Sequence, residues 1–193
     1  MYPSRQDGLT LVELLVTVAV AAVIATMAMP GLQSMIENNK VRTVTNNFVS
    51  SLYLARSEAA KRRYPVVVCA SNALGTACDT SASGYTNGWI VFTDYNDNKQ
   101  VDAPGNLLGD MDDDGVNESP EEILQVVEGI KGNLTLADRV ASRRSISFGA
   151  NGRANLMTSF EVRKASADTS TLLSKISISM TGRAKTCFGS ACD

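Results

Sequence analysis

Five carboxylates fall within nine residues of "DMDDDGVNESPE", Asp110 to Glu121, and their spacing is that of a loop of oxygen ligands. The pattern D-x-[DN]-x-[DN]-G-x5-E is met residue for residue. Asp110, Asp112 and Asp114 supply side-chain oxygens, and Val116 supplies its carbonyl. Gly115 permits the sharp turn, Glu118 binds through water, and Glu121 is bidentate. The cofactor implied is calcium. A weaker version stands upstream in "DYNDNKQVD", Asp94 to Asp102, with Lys99 where glycine is wanted. The alternative for both is a turn rich in local side-chain hydrogen bonds. No amphipathic helix clearly precedes the loop, so it is expected to stand alone.

Other chemistry is narrowed by what the chain lacks. It has no histidine, which removes the usual general base and the commonest metal ligand. No nucleophile and base are paired, and no glycine-rich phosphate motif is present, so an enzyme is not expected. The four cysteines form two local pairs whose spacing is not the two-residue gap of a zinc knuckle. Disulfides in an oxidising compartment are expected, Cys69 with Cys78 and Cys187 with Cys192, while the two other connectivities stay open. A last carboxylate is out of place. Glu13 opens an uncharged stretch from Leu14 to Ile36, and a charge inside such a helix costs about 2.5–3.5 kcal/mol on insertion scales. It needs a partner.

The elements that position these groups follow from pattern. The length of 193 residues suits one modest domain with an anchor. "MYPSRQDG" is short and polar, and the apolar run behind it is long enough to span a bilayer. Beyond Pro30, Val41, Val44, Phe48, Leu52, Ala55 and Ala59 recur at spacings of three and four, one helical stripe. The pattern predicts a helix from about Leu9 to Arg63, kinked near Pro30 and stopped by Tyr64-Pro65. The basic residues Lys61, Arg62 and Arg63 suit the negative end of its dipole. Short strands are then predicted over 66–70, 88–94, 122–127, 145–153, 159–164 and 175–183, separated by Gly, Asn and Ser. Helices do not alternate with strands, so the fold class is α+β, a long N-terminal helix packed on an antiparallel β-rich domain. The net charge of −2 conceals two surfaces: ten of the twenty acids lie between Asp94 and Glu122 against the single base Lys99, and the remainder is basic.

The N-terminus resembles the type III signal of type IV pilins and type II secretion pseudopilins. A short basic leader ends in Gly8, and counting from Leu9 places Glu fifth, at Glu13, and Pro twenty-second, at Pro30. Leu9 stands where that family usually has Phe. The resemblance implies a leader over 1–8, a membrane-spanning or filament-core helix over 9–30, its amphipathic half over 31–63 and a β-rich pilin domain over 64–193. It implies cleavage by prepilin peptidase between Gly8 and Leu9, N-methylation of Leu9, and an assembly role for Glu13 and Pro30. Glu13 would pair with the Leu9 amine of a neighbouring subunit. "LYLARSEAAKRRYPVVVCAS", "NGWIVFTDYNDN", "EEILQV" and the ending "SMTGRAKTC" narrow the resemblance to the FimT/FimU minor pilins and the minor pseudopilin H group. The expectations are therefore a minor pilin that primes or caps pilus assembly in adhesion and twitching motility, a DNA-binding minor pilin for natural transformation, or pseudopilin H of a secretion system. Partners implied are other major and minor pilins, the inner membrane before assembly, and DNA. Arg183 and Lys185 would contact phosphates, with Arg143, Arg144, Arg153 and Arg163 as candidate neighbours. The protein is expected in the inner membrane, then in an extracellular pilus, with its globular domain periplasmic or extracellular.

Overall fold

The computed structural model describes residues 10–79, 84–102, 121–140, 144–164 and 171–192, leaving aside the side chains of 27–31 and 190–191. Contacts divide the chain into two units, residues 1–40 and 41–193. Helix α1 (Leu11–Arg62) belongs to both. Its start is capped by Thr10, whose Oγ1 accepts the Glu13 N–H at 3.3 Å and whose carbonyl accepts the Leu14 N–H at 3.2 Å. Thr10-Leu11-Val12-Glu13 is the signature of a capping box. Thr17 and Thr26 donate their hydroxyls back to the Leu14 and Val23 carbonyls, so these polar groups are satisfied within the apolar turns. The helix continues through residue 30; the kink expected at Pro30 falls on a side chain outside the described ones.

In the second unit α1 buries the stripe its spacing predicts. Val41, Phe48, Leu52, Ala55 and Ala59 are buried and Val44 is partly so. The helix closes where Arg63 turns into the left-handed region (φ 64°) and its N–H reaches the Ala59 carbonyl at 3.0 Å. Arg62 is held by Glu58 at 2.8 Å and Glu122 at 2.6 Å, so this basic end is occupied by structure.

Eight strands form two antiparallel sheets. The first orders β3 (Ile123–Glu128), β2 (Gly88–Thr93), β1 (Val66–Ala70) and β5 (Ser145–Phe148). The second orders β4 (Leu134–Asp138), β6 (Thr158–Lys164), β7 (Leu172–Ile178) and β8 (Ala184–Phe188). Strands β1 and β2 are buried on both faces, which is why they read as unbroken apolar runs. One face packs in the main core, and the other forms a small cluster of Val67, Cys69, Ile90 and Phe92. The second sheet alternates: Phe160, Val162, Ile176 and Ile178 point into the core. Strands β4 and β8 are not among those predicted, and the strand expected over 175–183 starts earlier and ends at Ile178. Its last residues form a turn where Gly182 (φ +74°) comes so close to the Gly152 carbonyl that a Cβ would collide with it. Arg56 of α1 donates to that same carbonyl at 3.1 Å and fixes both turns to the helix.

Phe48 is the centre of the core. Its ring lies 5.3 Å from Tyr85, 5.2 Å from Trp89 and 4.7 Å from Phe160, all edge-on. Buried polar bonds fix the helix's rotation: Trp89 Nε1 donates to Ser51 Oγ at 2.8 Å, Ser51 Oγ lies 2.8 Å from Gln125 Oε1, and Thr45 Oγ1 lies 2.8 Å from Ser174 Oγ. Replacing Phe48 by Ala is expected to cost about 3–5 kcal/mol, the range for a buried aromatic that leaves a cavity. Denaturant unfolding of the full chain in detergent micelles, followed through the single tryptophan, measures it. A loss below about 1 kcal/mol would contradict this placement of the core.

Candidate functional site

Three regions carry the residues that the sequence marks for function. The first is the start of α1. Nine large apolar residues, Leu11, Val12, Leu14, Leu15, Val16, Val18, Val20, Val23 and Ile24, are 54–76% exposed. They lie on every side of the helix. Glu13 stands among them, its backbone in the cap and its carboxylate without an ion pair among the described residues. Gly8 and Leu9 lie outside the described residues. Among the described residues no helix is long and apolar enough to cross a membrane; the span expected over 9–30 includes residue 9 and the side chains of 27–30, which are not described.

The second region is acidic. Asp110, Asp112, Asp114, Val116 and Glu118 lie outside the described residues, and among the described ones no group of three Asp, Glu, Cys or His is placed to hold a metal. Glu121 is described and buried. Its two carboxylate oxygens accept the Tyr95 N–H at 3.2 Å and the Asp102 N–H at 3.0 Å. Asp94, fully buried at the end of β2, accepts the Asn98 N–H and the Lys99 N–H, each at 3.1 Å. Lys99 takes the left-handed conformation (φ 61°) that a glycine would have supplied. Asn96 and Asn98 donate their amides to Asp102. The stretch from Asp94 to Asp102 is thus a tight turn closed by its own side chains. Burial, reinforced by the charges of Asp94 and Asp102, pushes the Glu121 carboxyl up to about 7, although the two backbone donors oppose it. Asp94 is raised as well, first by burial.

The third region is the outward face of the second sheet. Register sets it. Ser159 faces Ser177, and Ser177 faces Lys185. The Arg139 N–H binds the Ser159 carbonyl at 2.8 Å, so Arg139 continues the row beyond β4. Asp138, one residue earlier, is buried and accepts Thr158 Oγ1 at 2.6 Å, which leaves Arg139 to point outward. A groove of about 830 Å³ lies over this row, and Lys175 and Arg183 also line it. No acid lines the groove, and its four cations form no ion pair among the described residues. Arg183 and Lys185 are thereby brought together with Arg139 and Lys175, which the sequence did not single out. The neighbours expected for them are elsewhere. Arg163 is paired with Glu161 at 2.7 Å, Arg144 lines a different groove beside Cys69 and Cys78, Arg153 is in the turn after β5, and Arg143 lies outside the described residues. Disulfides join Cys69 to Cys78 (Cα–Cα 5.6 Å) and Cys187 to Cys192 (Cα–Cα 5.2 Å), the second just beyond Lys185.

Comparison with known proteins adds to this geometry. The sequence pattern of the family described as "Type II transport protein GspH" matches residues 44–182, and that described as "Prokaryotic N-terminal methylation motif" matches residues 3–29. A search of curated proteins finds no match. Among solved structures, the type IV minor pilin FimU of Pseudomonas aeruginosa (strain PAO1), in space group P21, is similar with a TM-score of 0.51 at 20% identity, over 77% of this chain and 89% of that one. The same protein in space group P65 gives a TM-score of 0.48 at 20% identity, over 76% and 91%. The likeness to the first is one of fold, a long helix followed by antiparallel sheets.

The raised Glu121 carboxyl carries a sign. Its folded value lies above the ordinary 4.5, so its contribution to stability is complete below about 4.5 and is lost as pH rises through about 7. Glu121→Gln removes this titration. The melting temperature of the variant minus that of the wild type should therefore grow from pH 4.5 to pH 7.5. A difference that does not change with pH would contradict the burial of this carboxyl.

Proposed function

Since the chain belongs to the family of the type II transport protein GspH and carries the prokaryotic N-terminal methylation motif, we propose that it is a minor type IV pilin, a structural subunit that primes or caps pilus assembly. One observation supports this above the others: among the described residues, nine large apolar side chains on every side of the first half of α1 are exposed. Burying a Val, Leu or Ile side chain is worth about 1.5–3 kcal/mol, so nine of them outweigh the roughly 2.5–3.5 kcal/mol cost of taking Glu13 along. Lipid covers them before assembly, and the helices of neighbouring subunits cover them afterwards.

Glu13 then has two tasks. Its backbone closes the Thr10 cap, and its carboxylate stands beside the positive end of the helix dipole. Cleavage between Gly8 and Leu9 by prepilin peptidase creates an amine one residue before the cap, which N-methylation leaves cationic. In the filament core the amine of one subunit and the Glu13 carboxylate of its neighbour relieve each other's desolvation and set the register of assembly. Before that the protein sits in the inner membrane with its globular unit outside the cytoplasm, a placement that two disulfides suit. Membership of the type II transport protein GspH family supports a second setting, pseudopilin H of a type II secretion system. The groove above Lys185 supports a further role in that filament, the binding of DNA during natural transformation, because among the described residues four cations without an ion pair line it and no acid does.

Processing and assembly separate by mutation. Gly8→Arg should leave the leader attached and the protein in the membrane, read as the longer form on a gel. Glu13→Ala should be processed normally and yet be depleted severalfold from sheared surface filaments. Wild-type abundance of Glu13→Ala in those filaments would overturn the pairing role.

A further inference from the structure

We infer that the outer edge of β3 is a docking site for an extended, basic strand of another protein, which adds to the first sheet through backbone hydrogen bonds. The ladder sets the direction of those bonds. The Ser71 N–H reaches the Gly88 carbonyl at 3.0 Å, and the Thr93 N–H reaches the Glu122 carbonyl at 3.0 Å. Along β2, Gly88, Ile90 and Phe92 therefore turn their backbone polar groups to β1, while Trp89, Val91 and Thr93 turn theirs to β3. Their partners Val127 and Gln125 bond inward, and the N–H and C=O groups of Val126 and Glu128 point out of the sheet. Among the described residues nothing pairs with these outward groups. The other edges are met by their own chain. On β5, Ser147 exchanges bonds with Asn155, its N–H with Oδ1 at 3.1 Å and its carbonyl with the N–H at 2.9 Å. On β4, the Leu136 carbonyl accepts the Tyr85 N–H at 2.9 Å, and on β8 the Ala184 carbonyl accepts the Tyr53 hydroxyl at 3.5 Å. A bulge opposite Val91 and Phe92 bends only the start of β3. The strand holds no Pro or Lys, the residues that commonly blunt an exposed edge.

The side chains beside this edge select its occupant. Gln125 and Val127 face α1 and the core, so Val126 and Glu128 share the opposite face. Val126 is 51% exposed and Leu74 82%. The 72–75 turn lies against Val126, since a Cβ added at Gly75 would come within 2.9 Å of Val126 Cγ1. Together they offer an apolar step for one branched side chain. Glu128 is 87% exposed, and Lys131, at 3.8 Å, is equally bare, so that pair holds little of its charge. On the helix side Glu122 is 57% exposed, although Arg62 binds it. An incoming strand thus meets an acid on each face. Lys or Arg opposite Glu128 makes a favourable cross-strand pair, and another acid there an unfavourable one. The backbone bonds hold such a strand, and its alternate side chains decide which strand is held.

The test is fluorescence anisotropy with the full chain in non-ionic detergent and two labelled peptides blocked at both ends. One is Thr-Val-Thr-Lys-Thr-Val-Thr, and its twin carries Glu in place of Lys. The Lys peptide should bind about fivefold tighter than the Glu twin, and the gap should narrow as salt rises. Val126→Pro removes only an outward N–H, a place where an edge strand tolerates proline, so the variant should melt near the wild type. Its affinity for the Lys peptide should fall at least about tenfold, because the backbone bonds carry the binding. Glu128→Lys should leave the fold intact and reverse the order of the two peptides. Failure of the wild type to bind either peptide, equal binding of both, or wild-type affinity in a folded Val126→Pro would each overturn the inference. Should Val126→Pro not fold, Glu128→Lys decides, and an unchanged peptide order overturns it. A wild-type dimer that Val126→Pro or Glu128→Lys abolishes would assign the edge to a second copy of the chain and overturn it as well.

Discussion

An apolar helical surface that is exposed among the described residues is the constraint on which the rest of this structure depends. The second half of α1 is buried in a core around Phe48, while nine large apolar side chains of the first half are exposed. Typical domains are stable by only about 5–15 kcal/mol. Nine exposed Val, Leu and Ile side chains, at about 1.5–3 kcal/mol each, represent a driving force at least as large. In the proposed function such a surface takes lipid first and other helices afterwards. Glu13 and the hydroxyls of Thr17 and Thr26 are the polar exceptions, and each hydroxyl is closed by a bond within its own helix.

The globular unit serves this arrangement by holding the second half of the helix in one rotation. Aromatic contacts supply the area, while the Trp89–Ser51–Gln125 chain and the Thr45–Ser174 pair supply the angle. Arg56 adds a third point by drawing the 149–153 and 179–183 turns onto the helix. A buried donor or acceptor stranded by a change of rotation costs about 1–3 kcal/mol, so these few bonds select among packings that apolar area alone would allow. The second sheet, packed through alternate residues, turns the others, Lys175 and Lys185 among them, away from the core.

Much of this was legible in the sequence because it depends on local period. The stripe from Val41 to Ala59 and the unbroken apolar runs of β1 and β2 follow from short local patterns. Strands β4 and β8 were not legible. "LTLAD" alternates in burial but is only five residues long and ends in an acid that is nevertheless buried, and "AKTCF" is an edge strand with no fully buried side chain and no alternation. Thr10-Leu11-Val12-Glu13 reads as a capping box, a local role for Glu13 that is separate from the partner its charge requires. The convergence of Arg139 and Lys175 on Lys185 could not be read at all. It rests on the order β4-β6-β7-β8, which pairs residues far apart in the chain, and Arg139 follows a strand the sequence did not announce.

The proposal that lipid and then other subunits cover the first half of α1 rests on its exposed apolar side chains. Photocrosslinking in cells tests it most directly, with a benzophenone amino acid placed at Leu15 and, separately, at Val23. The account predicts adducts to lipid in membranes and to the helices of other subunits in sheared filaments. Adducts to neither lipid nor another subunit would contradict it.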